Sequence, residues 1–166
     1  MSFDMHIKFG AGKLKIEGSS AHSKHKGEIP ILAWSWGASN SGNLHGGAGA
    51  SGGKAQVQDI SITKYMDGCS NALLNAVCTG ARIDTAWLYV TNATGVQTDF
   101  LTLELSEGIL LTSWSTGGSG GEDRLTENIT LHFGKFKFSF QPQDDKGAAD
   151  GGKKEFTYDM QKVEST

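Results

Sequence analysis

The run Gly117-Gly118-Ser119-Gly120-Gly121 has the G-x-S-x-G spacing that presents a nucleophilic serine in many hydrolases. Such a serine needs a strained strand-to-helix turn beneath it and a histidine to take its proton. Alternating apolar residues on both sides predict strands on both flanks, so Ser119 reads as part of a glycine turn. Gly47-Ala48-Gly49-Ala50-Ser51-Gly52 matches the G-x-G-x-x-G spacing of a dinucleotide cradle. A cradle needs a helix after the glycines, because the helix N-terminus meets the pyrophosphate. A strand pattern follows instead. Gly53-Lys54 does not complete a Walker A loop, since Ala48 and Ala55 stand where Gly and Ser/Thr are required. His22 and His25 lie beside Lys24 and Lys26, which would repel a cation, and a zinc site needs three or four ligands. They read as solvated loop histidines, with His45 and His132 scattered elsewhere. Asp144, Asp145 and Asp150 lack the spacing and closing glutamate of a calcium loop. No catalytic set, cofactor cradle or metal centre emerges, and the expectation is a protein that is not an enzyme and has no cofactor.

The elements that would position any site are mostly strands. Phe3, Met5, Ile7 and Phe9 alternate with Asp4, His6 and Lys8. Leu14 and Ile16 follow. Gly27 to Gly37 is strand-like, with Trp34 and Trp36 on one face and Pro30 marking an edge or strand start. Further alternation covers Ile60 and Ile62, then Ile83 to Thr91, then Leu101, Leu103 and Leu105, and finally Phe156 to Met160. Both faces of the Ile83–Thr91 strand are apolar or aromatic, which predicts cover on both sides. Ile129, Leu131 and Phe133 hold odd positions, whereas Phe136, Phe138 and Phe140 hold even ones. Parity cannot switch without an inserted residue, so a bulge or bend is predicted near Gly134.

One helix interrupts the strands. Cys69, Ala72, Leu73, Ala76 and Val77 form an apolar stripe within residues 68–79, with Asp67 as N-cap and Gly80 as the stop. Cys69 and Cys78 would stand about 13.5 Å apart along that helix, too far for a disulfide. Together these elements predict a mainly β fold. About eight strands form a barrel or sandwich, with one amphipathic helix packed on its side, in a single domain of residues 1–166.

With 166 residues the chain can bury a real core, and its 23 glycines suit a β protein with many turns. The formal charge is -3 with acids and bases interspersed, which leaves no basic patch for nucleic acid. No apolar run is long enough to insert in a membrane. The opening residues form a strand pattern, not a secretory leader, so synthesis and folding in the cytoplasm are expected.

Two loops stand out. A stretch of about 16 residues in a compact domain is usually functional or disordered. Here it comprises Asn40, Ser41, Gly42, Asn43, Leu44, His45, Gly46, Gly47, Gly49, Ser51, Gly52 and Gly53, inside a wider polar segment from Ala38 to Gln56. Almost none of these side chains is reactive, so its function is contact. The second is Gly117, Gly118, Ser119, Gly120, Gly121, Glu122, Asp123 and Arg124, whose charged end could fix the turn or pair across a subunit boundary. The residues also leave open a carbohydrate- or ligand-binding β-sandwich that uses Trp34, Trp36 and Trp114.

Glu28-Ile-Pro-Ile-Leu-Ala-Trp-Ser-Trp-Gly37, the glycine loop, Asp59-Ile-Ser-Ile-Thr-Lys-Tyr-Met-Asp67 and the Ser115–Asn128 segment resemble the haemolysin-coregulated protein (Hcp) family of type VI secretion. The likeness runs over the full length. Phe140 departs from it, standing where relatives often carry tyrosine before Gln141-Pro142. The resemblance implies a β-barrel of two sheets with a helix on one side. It implies homohexameric rings with a central channel, stacked into a tube that a contracting sheath expels behind a spike protein. Small effector proteins would ride in the channel or be chaperoned there. The tube would assemble in the cytoplasm and be secreted without a cleavable signal peptide. The long loop would reach a neighbouring subunit or the next ring.

Overall fold

The computed structural model describes residues 2–46, 52–93 and 95–166. Eleven strands and one helix are present among them: β1 Phe3–Phe9, β2 Ile29–Pro30, β3 Ala33–Ser35, β4 Ala38–Asn40, β5 Ala55–Val57, β6 Ile60–Tyr65, α1 Ser70–Thr79, β7 Ala86–Asn92, β8 Asp99–Gly117, β9 Thr126–Phe140, β10 Lys154–Asp159 and β11 Glu164–Ser165. The strands make two sheets. Nine follow the order β11-β10-β9-β8-β7-β1-β2, with β6 branching from β9 and β3 from β6; β4 and β5 pair separately. All the named pairings are antiparallel. The mainly β expectation with a single helix therefore holds. The strand count rises because the Gly27–Gly37 segment divides, β2 pairing with β1 and β3 with β6, and because the short strands β4, β5 and β11 join the pattern.

The long hairpin β8–β9 is the spine. The first half of β9 pairs with β6 through Ile60↔Leu131 to Tyr65↔Thr126. The second half pairs with β10 through Lys135↔Asp159 to Phe140↔Lys154. The change of partner falls at the predicted bend, but the inserted residue lies on the neighbouring strand. Ser106 pairs with Lys135 and Ile109 with Phe133, which sets Glu107 and Gly108 opposite Gly134. Both bulge residues are left-handed, at φ 59° and 91°. A Cβ at Gly134 would sit 2.8 Å from the Glu107 carbonyl oxygen, so the close approach demands glycine. A second irregularity falls between Leu111 and Ser113.

Both arms of the bent sheet bury their inner faces in one core. Ile7, Leu88, Leu103 and Leu105 contribute from one side, Ile60, Ile62, Ile129 and Leu131 from the other. The helix lies against β8 and buries Leu73 and Ala76. It begins at Ser70, later than the sequence suggests, because Asp67 acts ahead of the first turn: its Oδ1 accepts from the Cys69 amide at 3.0 Å. Gly80 closes it in the left-handed conformation at φ 65°, which leaves no Cβ strain. Both cysteines are free, Cys69 buried and Cys78 exposed. Leu14 and Ile16 are not a strand. They pack toward the core from irregular chain that meets the ladder at the Gly12↔Ile83 bridge. Among the described residues no helix is long and apolar enough to cross a membrane.

Candidate assembly surface

The long loop is less irregular than its composition suggests. Ala38, Ser39 and Asn40 pair with Val57, Gln56 and Ala55, so β4–β5 zips the base of the segment. The Gln58 amide donates to the Gly37 carbonyl at 2.9 Å, which joins this small sheet to the β3–β6 ladder. The result is one extended hairpin, β3–β4 against β5–β6, whose outer part forms an exposed arm. Beyond Asn40 the arm is held by side-chain-to-backbone bonds. Asn40 Nδ2 donates to the Gly53 carbonyl at 2.7 Å and its Oδ1 accepts from the Gly42 amide at 2.9 Å. Asn43 Oδ1 accepts from the His45 amide at 2.9 Å. A Cβ on Gly53 would meet Ser41 Oγ at 2.4 Å, so the two sides of the arm touch closely there. Leu44, 83% exposed, is the most exposed large apolar residue described. Gly46 and Gly52 border the tip, while Gly47, Gly49 and Ser51 lie outside the described residues.

The second candidate caps the β8–β9 hairpin. Gly117 ends the ladder opposite Thr126, and the Glu122 amide donates to the Ser119 carbonyl at 3.2 Å. Strands flank Ser119 on both sides, so the strand-to-helix elbow of a hydrolase is absent. Arg124 does not project freely: its guanidinium lies 3.9 Å from the centre of the Tyr65 ring on β6. Glu122 and Asp123 are exposed. The arm and the turn are not brought together. Residues 36–46 and 52–58 leave from the Ile60 end of β6 and residues 118–125 lie at its Tyr65 end, roughly 17 Å apart along the strand.

Beneath the turn sits a buried ionic cluster absent from the sequence expectations. Lys64 and Glu127 are both 0% exposed and lie opposite each other in the β6–β9 ladder. Lys64 Nζ is 2.5 Å from Glu127 Oε1, 3.0 Å from Asp67 Oδ1 and 2.7 Å from its acceptor, the Tyr65 carbonyl. Glu127 also accepts from Ser70 Oγ at 2.8 Å and from Trp114 Nε1 at 2.8 Å. Burial alone would lower the Lys64 pKa, but the hydrogen bonds to Glu127 and Asp67 outweigh it and raise the value. Burial would likewise raise Asp67, yet the bonds it accepts from Cys69 and Lys64 hold it below the ordinary carboxylate value. Burial and the bond to Asp67 push the Cys69 thiol up to about 12, so it stays protonated and unreactive near neutrality. The cluster ties β6, α1, β8 and β9 together at the foot of the turn.

The reading of His22 and His25 as solvated is corrected. His25 is 3% exposed, and its Nδ1 lies 2.7 Å from Glu28 Oε2 while its Nε2 lies 2.8 Å from Asp99 Oδ1. His22 packs beside it and beside His6. The segment folds back over β1 and β7, which also explains why both faces of β7 are covered. Asp144 closes its own loop, accepting from the Lys146 and Ala148 amides at 2.9 Å each. Trp34, Trp36 and Trp114 all pack against the core. Trp36 meets Phe136 edge-on at 4.9 Å and donates from Nε1 to the Gln58 carbonyl at 2.9 Å. At the foot of the arm an open groove of about 270 Å³ includes Asp59 and His132 in its lining. These two pair at 2.8 Å. Among the described residues no three ligating side chains are grouped to hold a metal ion.

Comparison with known proteins identifies the architecture. The family described as "Type VI secretion system effector, Hcp" matches residues 5–140. Protein hcp1 of Pseudomonas aeruginosa is 44% identical over 153 residues, which span 92% of this chain and 91% of that protein. A solved type six secretion system protein superposes with a TM-score of 0.90 at 29% identity, over 99% of this chain and 100% of that one. Hcp1 from Salmonella typhimurium superposes with a TM-score of 0.80 at 26% identity, each chain covered in full. With its bent β8–β9 spine and side helix matched over the whole length, the chain belongs to the Hcp family of the type VI secretion system.

Proposed function

We propose that this chain is the repeating subunit of a type VI secretion tube. As one folded unit of residues 1–166, it forms homohexameric rings. The rings stack inside a contractile sheath behind a spike protein, and their channel carries or chaperones small effector proteins. Its role is structural, without catalysis, cofactor, nucleic acid or membrane insertion. It is assembled in the cytoplasm and then secreted. Kinship to the Hcp family supports this reading, and one observation carries it: the arm continues from the Ile60 end of β6, and the β8–β9 glycine turn lies beside its Tyr65 end. A subunit that must touch one ring above and another below needs contact elements on opposite faces. The side faces also suit association, since Phe3, Phe140 and Phe156 are each at least 40% exposed and invite cover by a neighbour. Contact between unlike surfaces that closes by rotation gives a ring.

The arm suits a conditional joint. Its glycines allow close backbone approach, while ordering it on contact costs conformational entropy and keeps stacking weaker than ring closure. Deleting Gly46 to Gly53 should leave hexamers intact by light scattering and abolish secretion. Monomers, or normal secretion, would overturn the proposal. The glycan-binding alternative gains no support, because the indole N–H groups of Trp36 and Trp114 are already spent on Gln58 and Glu127.

A further inference from the structure

Three histidines from two segments meet on the outer side of β1. The rings of His6 and His25 stack at 4.9 Å with an interplanar angle of 19°. His22 lies 5.1 Å from His6 and 5.3 Å from His25. Tyr89 of β7 continues the stack, 4.8 Å from His25. We propose that this stack is an acid-released latch that pins the 18–28 loop onto β1, β7 and β8 near neutral pH and frees the loop in acid.

The loop is internally braced but held to the sheet by side chains. Within it, the Gly18 amide donates to the Gly27 carbonyl at 3.0 Å, the Gly27 amide to the Ser20 carbonyl at 2.9 Å, and the Ser20 amide to the Glu28 carbonyl at 3.0 Å. Its attachments outward are Ser20 Oγ to His6 Nε2 at 3.1 Å, His25 Nε2 to Asp99 Oδ1 at 2.8 Å and Thr91 Oγ1 at 3.1 Å, and the longer approach of His22 Nε2 to Asp4 Oδ2 at 3.6 Å. At the exposed rim, Ser23 and Lys24 reach Gln97. Three imidazoles take part in these attachments, and two of them, His6 and His25, are buried.

The geometry tolerates a neutral His6 and opposes a charged one. His6 is 4% exposed, and its Nδ1 has no hydrogen-bond partner. A neutral ring can leave that nitrogen bare, whereas a protonated ring must bury an N–H with no acceptor. Both nitrogens of His25 lie against carboxylates, which fixes its ring in the stack, so an imidazolium on His6 would have no room to turn its Nδ1–H toward an acceptor. The groups facing His6 from the surrounding elements are Asp4 on its own strand, Tyr89 on β7, Asp99 on β8, and His22, His25 and Glu28 on the loop. Burial first, and then the charges of His25 and His22, push the His6 pKa down from 6.5 to about 4; Asp4 and Asp99 oppose this only in part. The unfolded ring titrates at 6.5 and the folded ring at about 4, so between those values the released state takes up the extra proton. The stabilisation is complete above 6.5 and is withdrawn as the pH falls toward 4.

Amide hydrogen exchange on the intact protein, corrected for intrinsic rates, tests this. Protection at Ser20 and Gly27 should fall by about tenfold or more between pH 6.5 and 4.5, while Leu103 and Ile129 in the spine keep theirs. His6→Phe retains a stacking ring without an ionisable group and should hold the loop through the same interval. Unchanged loop protection in the wild type, joint loss in loop and spine, or the same acid loss in His6→Phe would each overturn the latch. Should His6→Phe fail to fold, titration of the His6 ring by NMR in the wild-type chain decides. A midpoint well below 6.5 supports the latch, and one at or above it overturns it.

Discussion

A lysine fully enclosed by a sheet must keep its partners or cost the fold dearly. Lys64 keeps Glu127, Asp67 and a carbonyl within bonding distance, and Glu127 in turn holds Ser70 and Trp114. Removing one side of such a pair leaves the other charge buried and unpaired, a loss of about 3–5 kcal/mol. Lys64→Met should lower stability by that order in guanidinium unfolding. A Lys64→Met/Glu127→Leu double variant should lose less than the sum of its two single variants. Part of this cluster was legible in the residues. Lys64 keeps the parity of Ile60 and Ile62, and Glu127 that of Ile129 and Leu131, so both charges fall on core-facing positions. Their mutual register was not legible, because it depends on how β6 docks on β9. His6 shows the opposite limit. Its parity assigns it to the solvent face of β1, and only the fold-back of residues 18–28 buries it.

Among the elements, the β8–β9 spine shows where local pattern suffices. The parity switch between Phe133 and Phe136 located the bend, since a period of two reports any inserted residue. Pattern on one strand could not say which strand carries the insertion, and the structure gives it to Glu107 and Gly108. The bend then depends on Gly134. Gly134→Ala should destabilise by about 1–3 kcal/mol in thermal unfolding, because the new methyl meets the Glu107 carbonyl and has nowhere to relax. Gly117→Ala, where an added Cβ meets open space, should stay within about 0.5 kcal/mol of the parent. The arm was harder to read. Ala38-Ser-Asn40 and Ala55-Gln-Val57 carry no strong alternation, so β4 and β5 form because the β3–β6 hairpin continues into them.

At the scale of the whole molecule, the opposed positions of arm and turn bear on how copies add up. An interface between unlike surfaces at opposite ends of one strand does not satisfy itself in a pair. If rings stack through these elements as proposed, each addition would bury one joint and present a fresh one, so growth would be open-ended and the filament would have two chemically distinct ends. Rings built from the arm-deleted chain would keep one competent face and lose the other. Mixed into wild-type protein as a minor fraction, they should shorten tubes in electron micrographs far more than their share of the total, while ring number stays unchanged. Equal tube lengths at all mixing ratios would count against head-to-tail growth. The two ends of such a polymer expose different surfaces, so each would need its own cap, and its length would be set by what occupies its ends rather than by the strength of any joint within it.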